Sequence, residues 1–80
     1  MNTKTFIHHS AYVSDGAKIG EGSKIWINVQ IRENVIIGDN FQSGHNTLIR
    51  EKTRIGNRTA IGTATVIDGN TSIGNEVSLQ

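Results

Sequence analysis

One aliphatic column constrains this chain more than any other feature. Reading every sixth residue from Ile7 gives Ile7, Val13, Ile19, Ile25, Ile31, Ile37, Ser43, Ile49, Ile55, Ile61, Ile67, Ile73 and Leu79. Twelve of these thirteen positions are aliphatic, and no insertion interrupts the spacing. An α-helix turns about 100° per residue, so a six-residue step advances roughly 240° and scatters the column over three directions. In an extended chain six is even, and the whole column falls on one side. The repeat therefore predicts short strands separated by a turn in every hexad.

Four residues after each aliphatic comes a small or β-branched residue: Ala11, Ala17, Ser23, Val29, Val35, then Thr47, Thr53, Thr59, Thr65, Thr71 and Val77. Phe41 is the bulky exception, and it shortly precedes Ser43, the break in the aliphatic column. The ring is expected to take the space that the missing aliphatic leaves. Gly16, Gly22, Asn28, Asn34, Asn40, Asn46 and Asn70 stand between the columns as turn residues that tolerate a left-handed backbone.

A second period fixes how the chain winds. Gly follows the aliphatic residue at positions 20, 38, 56 and 74, eighteen apart each time. Three hexads then make one triangular coil, and the coils stack in register through parallel hydrogen bonding. The expected architecture is all-β: a single-stranded parallel β-helix of 18-residue coils, a little over four in number. At ~4.8 Å per stacked strand the prism is roughly 20 Å long.

Composition agrees. Eighty residues make one domain, read as 1–80, and a chain this short buries only about 60% of its unfolded surface as an isolated globule. Small chains need disulfides, metal, association or an idealised repeat. There is no Cys to supply the first, which also fits a reducing compartment. A net charge of +1, with Lys and Arg spread among Asp and Glu, gives no polybasic footprint for nucleic acid or an anionic membrane. The N-terminus lacks the apolar run of a signal peptide, and no segment approaches a membrane span. A soluble, cytoplasmic protein is expected.

Sorting the hexads by eighteen defines three faces. One begins with the Ile-Gly pairs and reads as a solvated polar surface. A second stacks Arg32-Glu33 below Arg50-Glu51, followed by Asp68-Gly69. These charges form either a surface ion-pair ladder of little energetic weight or a subunit or anionic-ligand contact. The third carries His8, Trp26, Gly44 and Gly62 just after the aliphatic, then His9, Ile27, His45 and Thr63, and ends with Tyr12, Gln30, Leu48 and Val66. Trp26, Ile27, Leu48 and Val66 therefore point out of the core, with Ile36 on the adjacent face. Apolar side chains clustered outside a prism indicate contact with another subunit or a ligand. His45, expected beside Trp26 and Ile27, is a candidate general base if its groove excludes water, and otherwise an exposed turn residue.

The aliphatic-Gly-x-x-small-x pattern resembles the hexapeptide-repeat proteins, which fold as left-handed parallel β-helices and commonly form homotrimers. Ile37-Gly38-Asp39-Asn40-Phe41-Gln42-Ser43-Gly44-His45 through Ile49-Arg50-Glu51 is similar to a stretch of the sugar acetyltransferases of that class. Ile19-Gly20-Glu21-Gly22-Ser23-Lys24-Ile25-Trp26 resembles its sugar-nucleotide N-acyltransferases. The resemblance implies an acyl-CoA-dependent acyltransferase with acetyl-CoA as co-substrate, no permanently bound cofactor and no metal. It implies acetyl transfer to a hydroxyl or amino group of a small-molecule acceptor, a sugar or sugar nucleotide, with His45 as catalytic base. Trp26, Ile27, Leu48, Val66, Arg32 and Arg50 would then line the co-substrate groove or the subunit interface. Such enzymes are longer, with a protruding loop and a cap, whereas this sequence stops at Ser78-Leu79-Gln80, so a fragment is expected.

Two other readings stand beside this one. The first is an assembly module without catalysis. The second is a γ-class carbonic anhydrase, which Ile25-Trp26 through Val29 and Ile31-Arg32 also resemble and which binds zinc through three histidines across a subunit boundary. Here His9 and His45 are two coils, ~10 Å, apart, too far for one subunit to bring both onto a zinc at ~2.1 Å. Arg50 occupies the position where that class implies a third ligand. An ice-binding surface is disfavoured because Thr47, Thr53, Thr59, Thr65 and Thr71 fall in the inward column.

Overall fold

The computed structural model describes residues 4–79. It contains thirteen two-residue strands among these residues, one per hexad: β1 (Phe6–Ile7), β2 (Tyr12–Val13), β3 (Lys18–Ile19), β4 (Lys24–Ile25), β5 (Gln30–Ile31), β6 (Ile36–Ile37), β7 (Gln42–Ser43), β8 (Leu48–Ile49), β9 (Arg54–Ile55), β10 (Ala60–Ile61), β11 (Val66–Ile67), β12 (Ser72–Ile73) and β13 (Ser78–Leu79). They form three parallel sheets ordered β1-β4-β7-β10-β13, β2-β5-β8-β11 and β3-β6-β9-β12. Every pairing is eighteen residues apart, as in Ile31↔Ile49 and Ile37↔Ile55. This is the expected β-helix with 18-residue coils. Among the described residues no helix is long and apolar enough to cross a membrane.

Each hexad solves the same local problem. Its aliphatic residue turns inward, and Ile25, Ile31, Ile37, Ile49, Ile55, Ile61 and Ile67 form a continuous buried shaft. Burying each such side chain contributes about 1.5–3 kcal/mol. The chain then turns through a left-handed residue three positions later. Asn28, Asn34, Asn40, Asn46 and Asn70 all have φ between 55° and 60°, and Gly16 and Gly22 have φ of 81° and 73°. Lys52, Arg58, Ala64 and Glu76 occupy the same position with ordinary side chains at φ 56° to 62°. Sequence alone did not mark these four, because the stacked coils override local preference. In most coils the N–H of this residue donates to the carbonyl one coil earlier, as Asn46 does to Ile27 (2.9 Å) and Ala64 to His45 (2.8 Å).

The small inward column also accounts for its own polar atoms. Thr47, Thr53 and Thr59 are buried, and their hydroxyls donate to the carbonyls of Gly62 (2.9 Å), Asp68 (3.0 Å) and Gly74 (2.9 Å). These three buried threonine hydroxyls are thus satisfied. Phe41 is fully buried within the hydrophobic core cluster, and Ser43 is buried as well.

The Ile-Gly face is not the featureless surface expected. Asp39 Oδ1 accepts the Glu21 N–H (2.9 Å), Asn57 Oδ1 the Asp39 N–H (2.8 Å), and Asn75 Oδ1 the Asn57 N–H (2.7 Å). Each accepting side chain folds over the glycine of the preceding coil. A Cβ on Gly20, Gly38 or Gly56 would overlap Asp39, Asn57 or Asn75 Oδ1. The 18-residue glycine period thus reflects a carboxylate and amide ladder along the prism. This face also carries the inter-coil ion pair Arg58–Glu76, at 3.1 Å.

Candidate functional site

The corner between the β1 sheet and the β2 sheet gathers the residues singled out in the sequence. Its turns are His9-Ser10, Ile27-Asn28, His45-Asn46 and Thr63-Ala64, stacked one per coil. Their geometry is disturbed at Ser43. Elsewhere the residue after the inward aliphatic donates to a carbonyl of the next coil, as His8 does to Ile25 (2.9 Å) and Arg32 to Ile49 (3.0 Å). Trp26 N–H instead reaches the Ser43 hydroxyl at 3.1 Å, and β4 pairs with β7 only through Lys24 and Gln42. Gly44 follows, and a Cβ there would strike the backbone of Gly62 and Thr63.

Trp26 is half-buried and holds a small aromatic cluster on the β1-sheet side of the corner. Its ring lies 5.2 Å from Phe6 and 6.4 Å from His45, and His8 and His9 stack at 4.3 Å. His45 is exposed, so within one chain its groove is open to water rather than dry. Ile27 lies in the turn one coil before it and is 37% exposed, enough to offer an apolar contact to a second surface. On the β2 sheet, Leu48 is half-buried and Val66 exposed.

Arg32 and Arg50 stand at the other end of the β2-sheet strands, away from His45. Their ion pairs form within each coil rather than as a ladder between coils. Arg32 Nε lies 3.4 Å from Glu33 and Arg50 Nε 3.6 Å from Glu51, all substantially exposed. The Glu33 carboxyl is held below its ordinary value, first by hydrogen bonding to its own backbone N–H and further by Arg32.

An open groove of about 410 Å³ lies on the β2-sheet side of the corner, lined by Ser10, Tyr12, Asn28, Gln30, Asn46, Thr47 and Leu48. Of the residues proposed from sequence, only Leu48 lines it. His45 and Trp26 flank the same stacked turns from the other sheet. In the sequence Asn28 and Asn46 mark only turns, and Tyr12 and Gln30 only the outward column of Leu48. Recognising the groove requires knowing that these two columns adjoin across a corner.

The bacterial transferase hexapeptide (six repeats) family model matches residues 16–40. The chain folds as a parallel β-helix with a six-residue period. Its described coils superpose on solved structures of the same kind. The acetyltransferase domain of PglB from Neisseria gonorrhoeae FA1090 matches with a TM-score of 0.75 at 21% identity, over 98% of this chain and 47% of that one. The same domain in complex with acetyl coenzyme A gives 0.71 at 22% identity, with the same coverage. A mutant of perosamine N-acetyltransferase from Caulobacter crescentus, in complex with CoA and GDP-perosamine, gives 0.59 at 17% identity, over 100% of this chain and 55% of that one. The β-helix thus spans about half the length of these structures. No curated protein sequence matches it.

Proposed function

We propose that this β-helix belongs to an acyl-CoA-dependent acyltransferase that moves an acetyl group from acetyl-CoA to a hydroxyl or amino group of a sugar or sugar nucleotide. The observation that carries the reading is the corner itself: a histidine on an open turn, packed against Trp26, beside a ligand-sized groove. Neighbours that share the fold support it: they are acetyltransferases in complex with acetyl coenzyme A or CoA.

In this mechanism His45 accepts the proton of the acceptor hydroxyl or amine as that atom attacks the thioester carbonyl. The tetrahedral intermediate collapses by breaking the C–S bond. CoA then leaves as a thiol carrying the proton that the imidazolium returns. A solvent-exposed His45 gains a drier setting when a second copy packs on the corner, and exposed Ile27 and Val66 supply apolar contact for it. A homotrimer is the assembly this reading expects.

Equilibrium binding of acetyl-CoA, followed by single-turnover transfer to sugar acceptors, tests the proposal. Binding with transfer, and an O-acyl transfer rate lowered about 10²-fold or more in His45→Ala, is the expected result. Failure to bind acetyl-CoA removes the acyltransferase reading. Unchanged transfer in the variant removes His45 from it.

A further inference from the structure

We propose that the groove on the β2-sheet side of the corner is a seat for a neutral, hydroxyl-rich ring, and that Tyr12, Asn28, Gln30 and Asn46 hold the acceptor's sugar there. The inference rests on the acyltransferase reading for its biological meaning but on the groove's own chemistry for its ligand class.

The lining contains no charged side chain. Phosphate or carboxylate would find no counter-charge there, and a cationic ligand no carboxylate. Two of its hydroxyls are already engaged. Thr47 donates to the Gly62 carbonyl at 2.9 Å, and Ser10 Oγ accepts the Asn28 backbone N–H at 2.8 Å while contacting His8 Nδ1 at 2.9 Å. Among the described residues, the side-chain amides of Asn28, Gln30 and Asn46 make no hydrogen bond to protein, whereas those of Asn57 and Asn75 are bound into the ladder on the opposite face.

Three free primary amides therefore converge on one groove. Each presents two N–H donors and a carbonyl acceptor. Sugar hydroxyls both donate and accept, so such amides match them without requiring a particular charge. Tyr12, 56% exposed, and Leu48 supply the apolar surface against which the C–H face of a pyranose packs. A volume of about 410 Å³ lies within the range of ligand pockets, roughly 300–1,000 Å³, near its small end. Asn46 follows His45 in the same turn, so the groove lies across that turn from the proposed base.

The test is side-chain amide NMR of the 15N-labelled chain titrated with glucose, galactose, mannose and N-acetylglucosamine, and separately with pantetheine and acetyl-CoA. Saturable shifts of the Asn28, Gln30 and Asn46 amides with at least one sugar are expected. Asn28→Gly and Asn46→Gly remove an amide while preserving the left-handed turn, and each should weaken sugar binding about tenfold with an unchanged circular-dichroism spectrum. Gln30→Ala, on a strand rather than a turn, should do the same. No amide shift with any of the four sugars, binding indifferent to these variants, or shifts produced by pantetheine instead of sugar would each overturn the proposal. Sugar binding without acetyl-CoA binding would sustain the groove and remove the acyltransferase reading; the reverse would remove the groove alone.

Discussion

The Ser43 hydroxyl accepts the backbone N–H of Trp26 at 3.1 Å, so the single polar residue in the aliphatic column replaces a rung of the backbone ladder with a side-chain bond. Phe41, two residues before Ser43, is fully buried in the core. The irregularity lies under Trp26 and Gly44, beside the turn that carries His45.

Restoring the repeat should therefore harm the protein. Ser43→Ile completes the column but crowds Phe41 and removes the acceptor of Trp26. The expected loss is about 1–3 kcal/mol, the ordinary cost of overpacking a dense core. Adding Phe41→Val should recover much of it. Urea denaturation followed by Trp26 fluorescence measures both. A stabilised single variant would show that the ring does not fill this space.

Two members of the glycine column should respond differently. A Cβ at Gly38 overlaps Asn57 Oδ1, which accepts the Asp39 N–H, whereas one at Gly74 meets nothing within 4 Å. Gly38→Ala should cost about 1–3 kcal/mol through overpacking or the lost hydrogen bond. Gly74→Ala should be near neutral. Thermal melts of the two variants side by side test the contrast; equal effects would contradict the ladder's role.

Ala64 pays a backbone cost that Asn46, one coil earlier at the same corner, largely avoids. Their φ values are 58° and 58°, in the region that disfavours a Cβ by about 1–2 kcal/mol. Ala64→Gly should raise stability by about 0.5–1 kcal/mol after the entropy cost of glycine is deducted. Asn46→Ala should lower it. The denaturation midpoints of the two variants should move in opposite directions.

Acid should weaken the fold partly through Glu33. Its folded carboxyl titrates below the ordinary 4.5, so the stability it contributes is present above that value. That contribution disappears as pH falls through the lower folded value. Glu33→Gln should flatten this part of the acid limb in a plot of urea midpoint against pH. An unchanged slope would show that Glu33 is not linked to folding.

Sequence disclosed the inward columns almost completely, because a six-residue period is written directly in Ile25, Ile31 and Ile37. The glycine period was equally plain, but its cause was hidden. Asp39, Asn57 and Asn75 follow glycines in their own hexads, yet their side chains serve the coil before. The ion pairs misled for a related reason: Arg32 and Glu33 satisfy each other as neighbours, and the inter-coil pair uses Arg58 and Glu76. At the corner, His45 beside Trp26 was legible from eighteen-residue stacking. The groove was not, since Asn46 and Leu48 converge across a bend that linear reading separates.

The in-register stacking also dictates which changes of length such a chain tolerates. Adding or deleting one residue turns every later side chain to the wrong wall, placing lysines and arginines in the shaft and isoleucines in water. A shift of six restores inside and outside but sets glycine against the wrong side chains. Only a step of eighteen leaves each residue above an equivalent neighbour, so natural or designed variants should lengthen and shorten by whole storeys.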